Sequence, residues 1–409
     1  MDLSLFSDTI ISSIAAFTIG LIAIYSCHHL AKYTNLVDKP DLVRKFHHKI
    51  TPTSGGIGIS IAFITGVLLT YVLSKSSMTV QLATFMPYFS AAAVIMIATG
   101  VYDDLFGLSS RPKFIVQIVT ALITCIGLEQ AYLESLFIND WSAYAITVRI
   151  LVYSIFIFWL VLGSNSINLV DGVDGLATIL SLMIIFGLTV IGINWNFVDF
   201  SIFLYPLAGA LLAFLLFNRP PASIFMGDTG SLLIGYVIST VTLVLALETP
   251  YWPYALSLPI LFGMPLLDTL LSVIRRVKMG INPFESDSNH IHHIIQRHYK
   301  SPAIAVISLG LANLLLVMLS ILLATTGSVP LFWLVFGLTV VGFATIVAVY
   351  NVKLNDDKSR LSGYFKGHPT HEPVHRKQFG ELRRVENVGK HAASGDDDKR
   401  KAVSSVRNK

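Results

Sequence analysis

Apolar windows of roughly 20 residues, the length that crosses a hydrocarbon core, recur along almost the whole chain. They fall near 8–30, 56–74, 84–101, 114–132, 145–163, 176–194, 201–217, 231–248, 254–274, 302–324 and 331–350. The pattern predicts an all-α polytopic membrane protein with about eleven transmembrane helices. The window opening at Phe114 is the weakest, because Glu129 and Glu134 interrupt it. The first window has neither a basic flank nor a small-residue cleavage site after it, so a membrane helix is expected there rather than a cleaved leader. An odd number of spans places the two termini on opposite sides.

Composition agrees with this reading. Hydrophobic residues make up 54% of the 409 positions and charged residues only 13%, against roughly 25% in a soluble domain; the mean hydropathy is +0.67. A soluble core of this size would need a charged shell, and runs such as 10–24 and 309–324 leave no room for one. From about Lys353 the chain turns polar, with clusters such as Asp396, Asp397, Asp398, Lys399, Arg400 and Lys401. The expected organisation is therefore a transmembrane domain over 1–350 and a polar, disordered cytoplasmic tail over 351–409. In that tail Arg383, Arg384, Arg400 and Lys401 could also meet anionic headgroups.

Charge placement orients the protein. All but two of the 29 Lys and Arg, Lys75 and Arg149, fall in alternate connections and the tail, and the positive-inside rule makes that face cytoplasmic. The N-terminus is then outside. The net charge of +4 gives no support to nucleic-acid binding, and Cys27 and Cys125, both in apolar stretches, indicate neither a disulfide framework nor a Cys-based metal site.

The same inward face carries nearly all the polar chemistry. The first inward loop, Lys45 to Gly56, offers Lys49 to a phosphate and places Gly55 and Gly56 where backbone could approach a ligand; a basic turn held by Pro52 is the plainer reading. Adjacent Asp103 and Asp104 end a membrane helix, where two carboxylates repel unless a cation or proton donor is near. In the third loop Asn165 and Asn168, then Asp171 and Asp174, are each three residues apart, with Gly172 and Gly175 pointing to an opened helix. Oxygen donors without Cys suit Mg²⁺ or Mn²⁺ rather than zinc.

Asp228 stands in the Gly-bounded turn Phe225 to Ser231, where Thr229 and Ser231 could cap the next helix and its free N–H groups could receive an anion. Farther on come Arg275, Arg276 and the cluster His290, His292 and His293, for which phosphate contact is favoured over metal ligation. Asp268 is either an ion-pair member or part of the site.

In this order the loops resemble the polyprenyl-phosphate N-acetylhexosamine-1-phosphate transferases over residues 35–300. Val37 to Pro40, Pro52 to Gly56, Asp103-Asp104, Asn165 to Gly175, Phe225 to Ser231 and His290 to His293 carry the likeness. Pro283-Phe284 followed by the His cluster is similar to the WecA and TagO branch rather than the related MraY branch; Asp287-Ser288-Asn289 departs from its pattern, which usually has an Arg there. The resemblance implies transfer of N-acetylglucosamine 1-phosphate from UDP-N-acetylglucosamine to undecaprenyl phosphate in a bacterial inner membrane, with release of UMP, to initiate a cell-envelope polysaccharide.

On that basis Asp228 is expected as principal metal ligand with Asn168 as the second, Asp103 as the group handling the lipid phosphate, and Asp104 as its electrostatic partner. Asp171 and Asp174 would face the nucleotide sugar, with Asn165 and Lys49 also on the substrate side. His290, His292, His293, Arg275 and Arg276 would meet the diphosphate. The partners implied are a UDP-amino sugar, undecaprenyl phosphate and membrane lipid; the oligomeric state, a homodimer included, is left open. The same chemistry on another UDP-amino sugar is the nearest alternative. A secondary transporter, which places its binding groups near the bilayer midplane, fits the helix-end carboxylates poorly.

Overall fold

The computed structural model describes residues 3–34, 36–38, 50–75, 78–133, 142–278, 280, 290–299 and 301–366. Residues 1–345 form one compact unit and residues 346–409 a second. The first unit is helical apart from a two-residue antiparallel ribbon, β1 (Val37–Asp38) against β2 (Thr51–Pro52), with Val37 opposite Pro52. Its helices are α1 (Leu3–Thr34), α2 (Gly55–Ser74), α3 (Val80–Phe106), α4 (Ser110–Leu128), α5 (Ala143–Val170), α6 (Leu176–Asn194), α7 (Ser201–Asn218) and α8 (Gly227–Leu247). After them come α9 (Leu258–Leu261), α10 (Gly263–Lys278), α11 (Ile291–Tyr299), α12 (Pro302–Thr325) and α13 (Val329–Lys366).

Ten of the described helices are long and apolar enough to cross a membrane, and the bent pair around Phe262 would make eleven. The expected span over 254–274 is thus not one straight helix: it bends by 74° between Leu261 and Gly263, and the second half, α10, carries Arg275, Arg276 and Lys278 in its last turn. Of the two acids that weakened the fourth window, Glu134 lies outside the described residues and Glu129 has a local solution. Residues Glu129–Leu133 continue α4 as a π-helical turn, where Glu129 accepts from Arg149 at 3.0 Å and from the Tyr153 hydroxyl at 2.7 Å. Such single π turns occur as local bulges within α-helices. At the other end α13 runs past the expected close of its span to Lys366; the rest of the polar tail lies outside the described residues.

Burial divides the helices by role. From Thr229 to Leu245 every residue of α8 is buried, with α5, α3 and α2 packed against it. By contrast α1, α12 and α13 expose large aliphatic side chains such as Ile14, Ile22, Leu315 and Leu338, a surface only lipid would solvate without penalty. Inside, Phe89 stacks between Phe203 and Tyr236 at centroid distances of 4.0 and 5.5 Å, and Phe63 and Phe85 join it edge-on or tilted. Apolar lipid gives little hydrophobic drive between helices, so close backbone approach does the packing. A Cβ on Gly56 would strike the backbone of Gly230, and one on Gly100 the backbone of Thr229. These two glycines let α2 and α3 close onto the first turn of α8, which fixes the end of the bundle where the polar loops meet.

Candidate active site

The centre of that end is the turn Gly227–Ser231. Gly227 has a φ of 71°, a left-handed value that Gly adopts freely. A Cβ there would come within 2.7 Å of an Asp104 carboxylate oxygen. With no side chain in the way, Asp104 reaches the start of α8: Oδ1 accepts from Asp228 N at 2.8 Å, and Oδ2 from Thr229 N at 3.0 Å and Thr229 Oγ1 at 2.6 Å. Asp104, expected as the electrostatic partner of Asp103, is instead the anion that satisfies the helix N-terminus. For the same reason the N–H groups of Asp228 and Thr229 are not open to a substrate anion, and Thr229 serves Asp104 rather than capping its own helix. Ser231 donates to the Gly227 carbonyl at 3.0 Å. Gly55 and Gly56 likewise turn inward, their N–H groups donating to the Phe225 and Met226 carbonyls at 3.0 and 2.8 Å, so their backbone is committed to packing and not to a ligand.

Asp103, one residue earlier, faces the opposite way. It accepts from Leu108 N and pairs with Lys113, whose ammonium also pairs with Asp228. The turn Gly107–Ser109 brings Lys113, in the first turn of α4, back over the end of α3. Asp228 Oδ1 takes a further bond from Asn168 Nδ2 at 2.7 Å, and the same nitrogen lies 2.8 Å from Ser231 Oγ. The structure thus joins Asp103, Lys113, Asp228 and Asn168 in one half-buried chain.

The loop after α5 adds more acid. Burial raises the pKa of Asp171 well above the ordinary carboxylate range, and the negative charges of Asp228, Asp104 and Asp174 raise it further. Asp174 itself accepts from Ala222 N at 2.9 Å and so pins the connection before α8; Asn218 supports both segments, accepting from Gly175 N at 2.8 Å and donating to Ile224 O at 2.9 Å. Asn165 is paired with buried Gln117, donating at 2.7 Å and accepting at 3.3 Å, which holds α4 to α5. Lys49 lies outside the described residues.

Whether these donors fit a divalent ion can be judged from their chemistry. Among the described residues no three His, Cys, Asp or Glu side chains converge as a ready-made cage. Yet a cationic group already bridges Asp103 and Asp228, and the negative charges of Asp228, Asp104 and Asp174 bear on Asp171. Hard oxygen donors with excess negative charge suit Mg²⁺ or Mn²⁺. Both Asp228 oxygens already have partners, Oδ1 the Asn168 amide nitrogen and Oδ2 the Lys113 ammonium, so an ion held by Asp228 and the Asn168 side-chain oxygen would displace Lys113 from Asp228 and leave it on Asp103.

The second wall comes from α10 and α11. Asp268 Oδ2 lies 2.9 Å from His290 Nδ1 and 3.6 Å from His292 Nδ1, while Oδ1 accepts from Ile291 N at 2.7 Å. Ser272 Oγ is 3.1 Å from His290 Nδ1 and receives Arg275 Nη2 at 3.2 Å. Arg275 and Arg276 are both buried. The two walls touch at Gly172: a Cβ there would come within 2.5 Å of His292 Nε2 and 3.3 Å of His293 Cε1. The Asp-Gly loop and the His cluster, more than a hundred residues apart in sequence, therefore meet directly.

Residues 86–246 match the family described as Glycosyl transferase family 4. A phospho-N-acetylmuramoyl-pentapeptide-transferase of Clostridium beijerinckii is 32% identical over 228 residues, covering 55% of this chain and 67% of its own. The chain belongs to glycosyl transferase family 4. Among other relatives, a probable undecaprenyl-phosphate N-acetylglucosaminyl 1-phosphate transferase of Bacillus subtilis is 29% identical over 88% of this chain and 98% of its own. An undecaprenyl-phosphate alpha-N-acetylglucosaminyl 1-phosphate transferase of Escherichia coli is 26% identical over 78% and 84%.

For this family 4 protein the matched stretch encloses Asp103, Lys113, Asn168, Asp171 and Asp228; the His wall lies beyond it. Lys113 is the residue that sequence reasoning passed over, counted only as a loop charge. Its one signal was position: with Arg111 it opens an apolar helix, ten residues after Asp103. Gln117, one turn later on the same face, had no separate signal.

Proposed function

We propose that this protein transfers N-acetylglucosamine 1-phosphate from UDP-N-acetylglucosamine to undecaprenyl phosphate, on the cytoplasmic face of a bacterial inner membrane. The observation that carries the reading is the Asp103, Lys113, Asp228, Asn168 chain at one end of the bundle, opposite the buried Arg and His wall. The family and the names of the relatives agree with it. An oxygen of the lipid phosphate attacks the β-phosphorus of the UDP-sugar. A new P–O–P link forms, the bond between the α and β phosphates breaks, and UMP leaves.

Two multiply charged phosphates must approach in line, so the site has to neutralise charge before it does anything else. Mg²⁺ or Mn²⁺, held by Asp228 and Asn168, would supply part of that neutralisation. Lys113 supplies a fixed positive charge beside the same carboxylates, and Asp103 keeps its ammonium in place. A phosphate monoester with a second pKa near ~6 is mostly ionised at neutral pH, so Asp103 needs only to accept the residual proton from the lipid phosphate. Asp171 and the His and Arg wall bound the space for the nucleotide diphosphate. Asp104 and Asp174 act earlier, by fixing the turn that presents Asp228.

The test is UMP release by the purified protein in detergent, with undecaprenyl phosphate, Mg²⁺ and a panel of UDP-sugars. Release is expected with UDP-N-acetylglucosamine first among them. Asp228→Asn should abolish it at every Mg²⁺ concentration. No release with any sugar would overturn the activity, and turnover retained by Asp228→Asn would overturn its part in metal binding.

A further inference from the structure

The His wall contains a carboxylate that the proposed reaction leaves without a task. Asp268 is nearly fully buried in α10, and a lone acid there is unfavourable unless its oxygens are satisfied. They are satisfied in a specific way. Oδ2 lies 2.9 Å from His290 Nδ1. An ionised carboxylate only accepts, so that contact requires the His290 proton to sit on Nδ1. Ser272 Oγ, on the same nitrogen at 3.1 Å, is in turn 3.2 Å from Arg275 Nη2, a donor, which leaves the serine oxygen free to share the Nδ1 proton. Oδ1 meanwhile accepts from the Ile291 N–H at 2.7 Å and anchors the start of the helix that carries His292 and His293.

The ring planes follow from that anchor. His292 stacks on His290 with an interplanar angle of 8° and a centroid distance of 5.4 Å, and His293 lies 4.2 Å from His292, centroid to centroid. His292 is 1% exposed, and its Nε2 has no hydrogen-bond partner among the described residues. Its Nδ1 lies 3.6 Å from Asp268 Oδ2 and its Nε2 lies beside Gly172, so the nitrogen without a described partner is the one at the junction of the two walls, where a polar group of a ligand would satisfy it.

We propose that Asp268 is the positioning residue of this wall: it fixes the proton of His290 on Nδ1, so that Nε2 is the atom turned to the substrate diphosphate, and it sets the start of α11 so that His292 meets the Asp171–Gly172 loop. The assignment rests on the transferase reading of the preceding subsection. The groups that face His290 are Asp268 and Ser272 of α10, with Arg275 behind the serine, and His292 and His293 of α11. Asp268 does not itself touch substrate, and it acts through the histidines, as carboxylates behind ligating or catalytic imidazoles do.

Asp268→Asn keeps the shape and an oxygen for Ile291, but it can turn an N–H toward His290 Nδ1 and drive the ring to the other tautomer. In the full-length protein labelled with ¹⁵N-histidine, with His290→Gln to assign the signal, His290 should be protonated on Nδ1 in the native protein and on Nε2 in Asp268→Asn. The kcat for UMP release should fall about 10- to 100-fold, the range for losing a carboxylate behind a functional histidine, while KM for UDP-N-acetylglucosamine changes far less. Asp268→Glu, which restores the acceptor, should recover at least a tenth of the native rate.

Turnover by Asp268→Asn within about twofold of native, or a loss of rate with the His290 tautomer unchanged, would overturn the proposal. If Asp268→Asn does not fold, the native spectrum still decides it, since an Nε2-protonated His290 excludes the assignment. Native protein that releases no UMP from any UDP-sugar would refute the transferase reading instead, and the tautomer would still test Asp268.

Discussion

Replacing Asp104 by Asn separates an anchor from a catalytic acid. The carboxylate accepts from Asp228 N, Thr229 N and the Thr229 hydroxyl. An amide has one acceptor oxygen, so if that oxygen keeps Asp228, an NH₂ is set against the Thr229 N–H. At least one hydrogen bond to a charged group is lost, about 1.5–3 kcal/mol, together with the interaction of a full negative charge with the helix N-terminus, about 0.3–1 kcal/mol. The total is about 2–4 kcal/mol. With an unfolding entropy of about 2.1 cal/mol/K per residue, a unit spanning residues 1–345 melts about 3–6 °C lower. Asp103→Asn is the control: its amide oxygen can keep the Leu108 N–H and Lys113 keeps Asp228 as its partner, so the change should be that of one hydrogen bond, about 0.5–1.5 kcal/mol. Thermal unfolding of the two purified variants, side by side in the same detergent, reads the difference. Asp104→Asn melting with the native protein, or Asp103→Asn falling just as far, would refute the division of labour between the two adjacent acids.

Two further outcomes follow from the same geometry. Lys113→Met should lower UMP release about 100-fold or more, the scale for losing one preorganised donor at a site of developing charge, with Lys113→Arg in between; a methionine variant that keeps a tenth of native turnover would remove Lys113 from the site. Asp171, whose pKa is raised by burial and by Asp228, Asp104 and Asp174, binds its proton more tightly in the folded state than in the unfolded chain. Its contribution to stability is therefore full below the ordinary Asp value of about 3.9 and is lost as pH rises through the raised value. Asp171→Asn, which imitates the protonated acid, should out-melt the native protein at pH 8 by a margin that narrows at pH 5; a margin independent of pH would contradict this.

Much of the protein is legible in its order of residues because lipid imposes a simple requirement. A backbone crossing hydrocarbon must satisfy its own hydrogen bonds, so long apolar windows become helices, and the loops left between them concentrate the polar chemistry. Length and apolarity therefore located ten of the eleven windows as continuous helices, and the spacing of Asp103, Asn168, Asp171, Asp228 and His290 marked the loops that meet. What each side chain does there was not legible. Asp103 and Asp104 are neighbours of identical chemistry, and only the packing of α3 on the first turn of α8, through Gly100 and Gly227, turns one toward Lys113 and the other into a helix anchor. The bend at Phe262 and the pairing of Asp268 with His290 are likewise tertiary. A local window records how apolar a segment is, not where it meets a partner a hundred residues away, and hydrogen bonds formed across such distances decide which acids remain free for chemistry.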